Sequence, residues 1–182
     1  METDHKVENK RDILQEISPT DALHILRILV EEDSRFADRI YQIAVEILSN
    51  IDPDDIAFEV YGELNGIEVE DLWDRSGSKR YGYVDPSDEA WTMFEEALEP
   101  FIDEMEKYQK LGLFLEAKNY CIGILRGIYR YEKESKAKFK DWAVDAPRDY
   151  FHRILEKWKD GKPAPEDVAR VEETIRQDFA DI

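Results

Sequence analysis

The sequence contains very little cysteine and histidine, and this scarcity limits the chemistry open to it. The single cysteine, Cys121, excludes a disulfide within the chain and any cysteine-rich zinc site. With one cysteine the chain also cannot form the structural zinc sets, which contain at least two cysteines. Because Cys121 stands among apolar residues, we expect it to be buried as a small hydrophobic side chain rather than exposed as a reactive thiol.

Long apolar runs are also missing. No run approaches the roughly 18 residues that a membrane-spanning helix needs. The first residues, Met1 to Lys6, lack the basic and then apolar pattern of a signal peptide. We therefore expect no membrane association and a cytoplasmic location.

Positive charge is absent from two long segments, residues 51–74 and 85–106, which hold nine acidic residues each and no lysine or arginine. The 182-residue chain has a formal net charge of −18. Since phosphate binding requires neutralising cations, we expect no direct nucleic-acid binding. The exception is a basic connector at residues 130–146, which could bind an acidic partner. The alternative is that its cations are only solvated. Its lysines are Lys133, Lys136, Lys138 and Lys140.

A four-residue signal, X-Pro-x-Asp, contains five of the seven prolines. Proline suits the first position of a helix, and an aspartate in the first turn meets the positive end of the helix dipole. In the first three copies the residue before proline can also cap the helix with its side chain. The signal predicts helix starts at Ser18, Asp52, Asp85, Ala146 and Ala164.

The apolar spacing between these signals predicts an all-α fold, an irregular stack of about seven antiparallel helices. No segment shows the alternation of a strand. We expect a frayed segment over residues 1–17 and a single domain over residues 18–182. The first three signals are 34 and 33 residues apart, so a divergent helical repeat is the alternative.

The longest predicted helix spans residues 86–110 and carries an apolar seam from Trp91 to Tyr108. Pro100 should kink or split it near residues 97–99. If the seam exceeds what the monomer core can cover, it offers a route to a homo-oligomer. In the next helix Gly123 and Gly127 are costly, and we expect a neighbouring helix to approach closely there.

Residues 67–84 form the one long loop expected between helices, and it is glycine-rich, aromatic and basic. Loops of this length often carry function. We predict a partner-binding surface here, with the alternative that its aromatic residues only pin the loop to neighbouring helices. The candidate residues are Trp73, Lys79, Arg80, Tyr81 and Tyr83.

No motif for catalysis or for cofactor binding appears, so we expect a protein that is not an enzyme and binds no cofactor. One coincidence raises a helical-bundle metal protein as an alternative. His24 follows Asp21 by three residues, and His152 follows Asp149 at the same spacing, which places each pair on one helix face. Both aspartates already belong to helix-start signals, which explains them without a metal.

Four short segments resemble the helical region of uncharacterised archaeal and bacterial proteins that carry SWIM-type zinc fingers. The similarity covers roughly residues 20–131, and the finger itself, built on Cys-x-Cys and a later Cys-x-His, is absent. What the resemblance implies is a helical accessory or scaffold module, and it identifies no site residue. The segments are Phe36 to Ile40, Asp71 to Asp74, Tyr83 to Ser87 and Tyr120 to Tyr129.

Taken together, these features predict a non-enzymatic, acidic helical module that binds a protein partner. The two acid-only segments support an alternative, an acidic mimic of nucleic acid or a regulator that occupies a basic cleft of its partner.

Overall fold

A computed structural model describes Leu14 and residues 16–179, and it confirms the all-α class. A small antiparallel hairpin, β1 (Gly77–Lys79) and β2 (Gly82–Val84), follows the fourth helix, and a 3-10 helix (Lys138–Trp142) follows the sixth. Eight α-helices have their bounds within these residues: α1 (Pro19–Glu32), α2 (Ser34–Leu48), α3 (Pro53–Asn65), α4 (Val69–Arg75), α5 (Pro86–Lys110), α6 (Phe114–Glu134), α7 (Ala146–Asp160) and α8 (Pro165–Asp178).

The chain divides into two compact units, the first ending at Leu48 and the second beginning at Ser49. We predict one domain over residues 18–182, and this division into compact units does not test that prediction. Most of the expected frayed segment, residues 1–17, lies outside the described residues. None of the helices in the described part of the chain has both the length and the apolar content that a bilayer crossing needs.

In the first unit, α1 and α2 pack against each other, and neither helix contains a buried residue. Ser18 caps α1 by accepting a hydrogen bond from the Asp21 amide. Asp33 follows α1 and accepts from the Arg35 amide at the start of α2, over 2.8 Å. The pair is therefore a helical hairpin with defined ends and no interior of its own.

The second unit contains the hydrophobic core, to which α3 and α5 through α7 contribute most. The seam of α5 is buried within this chain from Phe94 to Tyr108, while Trp91 is half-buried. That burial removes the ground for a homo-oligomer through helix 86–110, because the monomer's own core covers the seam. The largest fully buried side chains include Phe94, Tyr131, Phe139, Phe151 and Trp158.

The helix-start signals work as predicted. Asp52 accepts from the Asp54 amide at the start of α3, and Asp85 accepts from the Ser87 amide at the start of α5. In the last two copies the residue before proline has no capping side chain, and α7 begins one residue earlier, at Ala146.

The two glycines of α6 mark a close helix crossing, as predicted. A Cβ atom at Gly123 would lie 2.6 Å from the Cβ of Ile56, and one at Gly127 would lie 2.5 Å from the Cβ of Val60. Real side chains essentially never make such contacts. The absence of a Cβ atom at Gly123 and Gly127 is therefore what lets α3 pack against α6. This packing places the end of α3 beside the end of α6.

Two predictions about elements are wrong. Helix α5 continues through Pro100, so the expected split is absent, while a kink at this position stays a prediction; Pro100 is exposed, and the carbonyl it leaves unpaired can be hydrated. The expectation of no strand misses the hairpin, in which Ser78 pairs with Tyr83. Strands of three residues are too short to show alternation, and Gly77 supplies the positive φ of 80° at their entry.

The alternative of a divergent helical repeat has no support in the elements of the second unit. The first interval between signals contains two helices of similar length, α1 and α2, whereas the second contains α3, the seven-residue α4 and the hairpin. Helix α4 lies within the expected loop of residues 67–84, and it is why the described residues contain eight α-helices and not about seven.

Candidate functional site

The short helix α4 organises the candidate site, because its two turns lead from a cleft to an exposed aromatic surface. Val69 and Glu70 line the cleft. Trp73 follows them by four and three residues, so it lies on the same helix face one turn further on. Leu72 is buried and anchors α4 to the core, while an ion pair of 2.5 Å joins Arg75 to Glu96 on α5.

The cleft has a volume of about 630 Å³ and lies where the end of α3, the start of α4 and the end of α6 meet. Ser135 donates a hydrogen bond of 2.7 Å to the side-chain oxygen of Asn65, which ties the end of α6 to the end of α3. The lining carries charges of both signs, so it suits polar groups of a peptide better than an apolar ligand. The lining residues are Tyr61, Asn65, Ile67, Glu68, Val69, Glu70, Glu134, Lys136, Ala137 and Lys138.

The four predicted lysines of the connector divide into two pairs. Lys136 and Lys138 are exposed, line the cleft and form no ion pair within the described residues. Lys140 pairs with the Glu132 carboxylate at 3.4 Å and also donates to the Glu132 carbonyl oxygen. The Lys133 ammonium lies 5.4 Å from the centre of the Tyr129 ring. Only the first pair is therefore placed to meet a ligand in the cleft.

Trp73 contacts the connector through Trp142, with ring centroids 4.7 Å apart in an edge-to-face arrangement. Trp73 nevertheless remains 47% exposed. The sequence predicts the 67–84 segment and the basic connector as separate candidate regions. The contact between Trp73 and Trp142 joins them into one continuous surface.

The hairpin presents its aromatic side chains to solvent. Tyr81 is 91% exposed in the two-residue loop between the strands, and Tyr83 is 69% exposed on β2. The alternative that these tyrosines pin the segment to neighbouring helices is therefore wrong for both. The backbone is held instead by the buried Ser76 and by the capping of α5 by Asp85.

The two predicted cations of the hairpin have neighbours within it. The Lys79 ammonium donates to the Asp74 carbonyl oxygen at the end of α4, which fixes β1 beside that helix. The Arg80 guanidinium lies 5.5 Å from the centre of the Tyr81 ring, within cation–π range. Arg80 and Tyr81 thus form one exposed aromatic and cationic tip.

Sequence reasoning missed Trp142 and Tyr61. A signal for Trp142 was present, because Phe139 and Trp142 stand three apart in an otherwise charged stretch. Tyr61 gave no such signal. It lines the cleft and lies 4.4 Å from the Arg130 guanidinium, a contact that depends on how α3 crosses α6.

None of the residues that line the cleft is a serine, threonine, cysteine or histidine, so the nucleophile and base of a serine or cysteine triad are absent from the lining. Cys121 is fully buried, as predicted, and burial raises the pKa of its thiol, which disfavours the nucleophilic thiolate. Burial likewise raises the pKa of Tyr120 and of Tyr150 to about 12, so both phenols remain protonated at neutral pH.

Three of the four residues in the candidate metal pairs use their polar groups in local contacts. Asp21 accepts a hydrogen bond of 2.6 Å from the Ser18 hydroxyl. Asp149 lies 3.7 Å from Arg153, and Nδ1 of His152 lies 2.8 Å from the Arg148 carbonyl oxygen. Over Leu14 and residues 16–179, no group of three potential metal ligands is close enough to bind an ion.

Comparison with protein-family models, with curated proteins and with solved structures finds no match to this chain. The resemblance to the helical region of SWIM-associated proteins therefore stays a prediction, and the case for a function depends on the geometry of the α4 region.

Proposed function

We propose that this chain is a non-enzymatic helical module that binds a protein partner through one composite surface, the α4 face. We define the α4 face as the cleft, the Trp73–Trp142 pair and the hairpin tip. The observation that carries the proposal is the presentation of Trp73, Tyr81 and Tyr83, three large aromatic side chains, on a backbone fixed by the core.

Exposed aromatic residues on a fixed backbone are the residues that dominate binding energy in protein interfaces. Tryptophan, tyrosine and arginine are enriched among such hot spots. The hairpin is held at both ends. Binding of a partner to Tyr81 therefore costs this chain little conformational entropy. Lys136 and Lys138 in the adjacent cleft can bind an acidic group of the partner, and Glu68 and Glu70 in the same cleft can bind a basic group next to it.

The test first captures a partner from the native cell extract with the full chain as bait. It then measures the affinity of that partner for the wild-type chain and for its variants. We expect Trp73→Ala and Tyr81→Ala to weaken binding by roughly 10-fold or more each, as for interface hot spots. Lys136→Glu with Lys138→Glu should weaken binding too, because the acidic group would then be repelled.

Phe114→Ala is the matched control. Phe114 is 44% exposed, close to the value for Trp73, but it follows the far end of α5. A 25-residue helix is about 37 Å long, so this position lies well away from the hairpin. Equal losses for Phe114→Ala and Trp73→Ala, or no loss for any variant of the α4 face, would contradict the proposal.

A second candidate function is an acidic mimic that occupies a basic cleft of its partner. The observation in its favour is a depression of about 290 Å³, lined by α5 and by Lys157 of α7, that contains four carboxylates, from Glu95, Glu96, Glu99 and Asp103. Binding by such a surface should collapse between low and moderate salt, whereas binding through Trp73 and Tyr81 should persist. The same affinity measurement, repeated at two salt concentrations, separates the two functions.

A further inference from the structure

We infer that the helical hairpin of α1 and α2 binds a second copy of this chain and forms a four-helix bundle with it. The inference rests on the first unit alone and does not depend on the α4 face. Its starting point is that a hairpin with no buried residue has little to hold it together, because short helices derive most of their stability from packing.

The hairpin carries far more apolar surface than one helix contact can cover. Of the 18 large hydrophobic side chains that are exposed among the described residues, nine belong to α1 and α2, with exposures of 38–72%. From Ala22 to Val30 the apolar positions of α1 cover roughly 220° of its circumference. Since α2 packs against only part of that arc, the rest needs another partner.

The exposed apolar area matches what a stable dimer requires. The nine side chains together leave on the order of 700 Å² of apolar surface exposed per copy, an upper limit for one interface because Tyr41 lies largely on the opposite side of α2 from Phe36 and Ile47. A standard protein interface removes about 800 Å² from each partner. Two hairpins brought face to face also complete a four-helix bundle, the common way for paired amphipathic helices to bury a core.

The charges of the hairpin fit a second copy better than a basic partner. Residues 19–48 contain six acidic residues against three arginines, a net charge of −3, whereas residues 51–74 contain nine acidic residues and no cation. The polar stripe of α2 is balanced, with Arg35 and Arg39 beside Asp38 and Glu46. A symmetric contact can place each sign opposite the other, since residues i and j meet twice across a two-fold axis.

The test is the oligomeric state of the full chain by sedimentation equilibrium over a wide range of protein concentration. We expect a dimer of twice the 21.5 kDa chain mass. Because the two copies repel each other through their net charge, added salt should strengthen the dimer and not weaken it. A wild-type chain that stays monomeric throughout would overturn the inference.

Variants locate the interface. Ile43→Glu with Ile47→Glu should weaken the dimer by roughly 100-fold or more, since two charges would enter an apolar interface. Ile47→Ala should weaken it by about 10-fold while leaving helix content intact, because alanine is the best helix former. Phe58→Glu, at a position in α3 that is 67% exposed against 72% for Ile47, should leave the dimer unchanged.

All four tryptophans follow residue 48, so tryptophan emission reports on the second unit and should be the same in every variant. A dimer that survives both α2 variants, or that Phe58→Glu disrupts instead, would overturn the inference.

Discussion

At the scale of single residues, glycines that look alike in the sequence have opposite effects on stability. Gly127 lies where a Cβ atom would meet the Cβ of Val60 and the Ala57 carbonyl oxygen, whereas a Cβ atom at Gly62 would meet nothing within 4 Å. The first glycine permits a helix crossing. The second only lowers the helix propensity of α3.

We therefore predict that Gly127→Ala lowers the free energy of unfolding by about 3 kcal/mol, because the methyl group would have to displace the Cβ of Val60 and the carbonyl oxygen of Ala57. Gly62→Ala, as the matched control, should raise that free energy by about 0.5–1 kcal/mol. Urea unfolding followed by tryptophan emission measures both. Equal effects of the two substitutions would contradict the close crossing of α3 and α6.

The sequence could predict the glycine contact but not the exposure of the hairpin tyrosines. Two glycines four apart in a helix lower its stability, so their spacing alone indicates a neighbour that compensates. Tyr81 and Tyr83 carry no such cost, since a tyrosine is compatible with a core or a surface. Only the position of the hairpin, which depends on α4 and α5 together, decides between the two.

At the scale of elements, α8 is attached to the rest of the second unit by a few specific contacts. The Lys118 ammonium, on α6, is buried and lies 2.7 Å from the Asp167 carboxylate in the first turn of α8. Val171 of α8 is buried, and Phe179 beyond the end of the helix packs edge to face on Phe151. The ion pair thus fixes one end of the helix and the aromatic contact fixes the other.

Removing the acidic partner leaves a buried lysine without a counter-ion. We predict that Asp167→Ala lowers the free energy of unfolding by about 2–3 kcal/mol, at the low end for a broken buried pair because Asp167 keeps some exposure. Glu166→Ala is the matched control, since Glu166 is exposed in the same helical turn and should cost less than about 1 kcal/mol. If the two variants unfold at the same urea concentration, the pair does not anchor α8.

Helix starts could be predicted from the sequence because capping is a local interaction, and Ser18, Asp52 and Asp85 all cap as expected. The hairpin and the unbroken α5 could not be predicted from the sequence, because each depends on tertiary contacts and on solvent exposure. Pro100 is tolerated since its side of α5 faces solvent. The cleft was equally hidden, because α3 and α6 bring Tyr61 and Lys136 together only through their crossing.

At the scale of the whole molecule, the proposed binding surface includes part of the first acid-only segment and none of the second. The two segments contribute α3, most of α4 and most of α5, whose carboxylates disfavour nucleic-acid binding. The α4 face combines the exposed aromatic residues with charges of both signs, because Glu68 and Glu70 line the same cleft as Lys136 and Lys138.

The most direct test of the α4 face maps where the partner touches the molecule. A photo-reactive phenylalanine analogue placed at position 81 should form a covalent adduct with the partner in intact cells, because Tyr81 projects from the hairpin tip. The same analogue at Phe114, beyond the far end of α5, should form little or none. An adduct at Phe114 and none at position 81 would contradict the assignment of the α4 face as the binding surface.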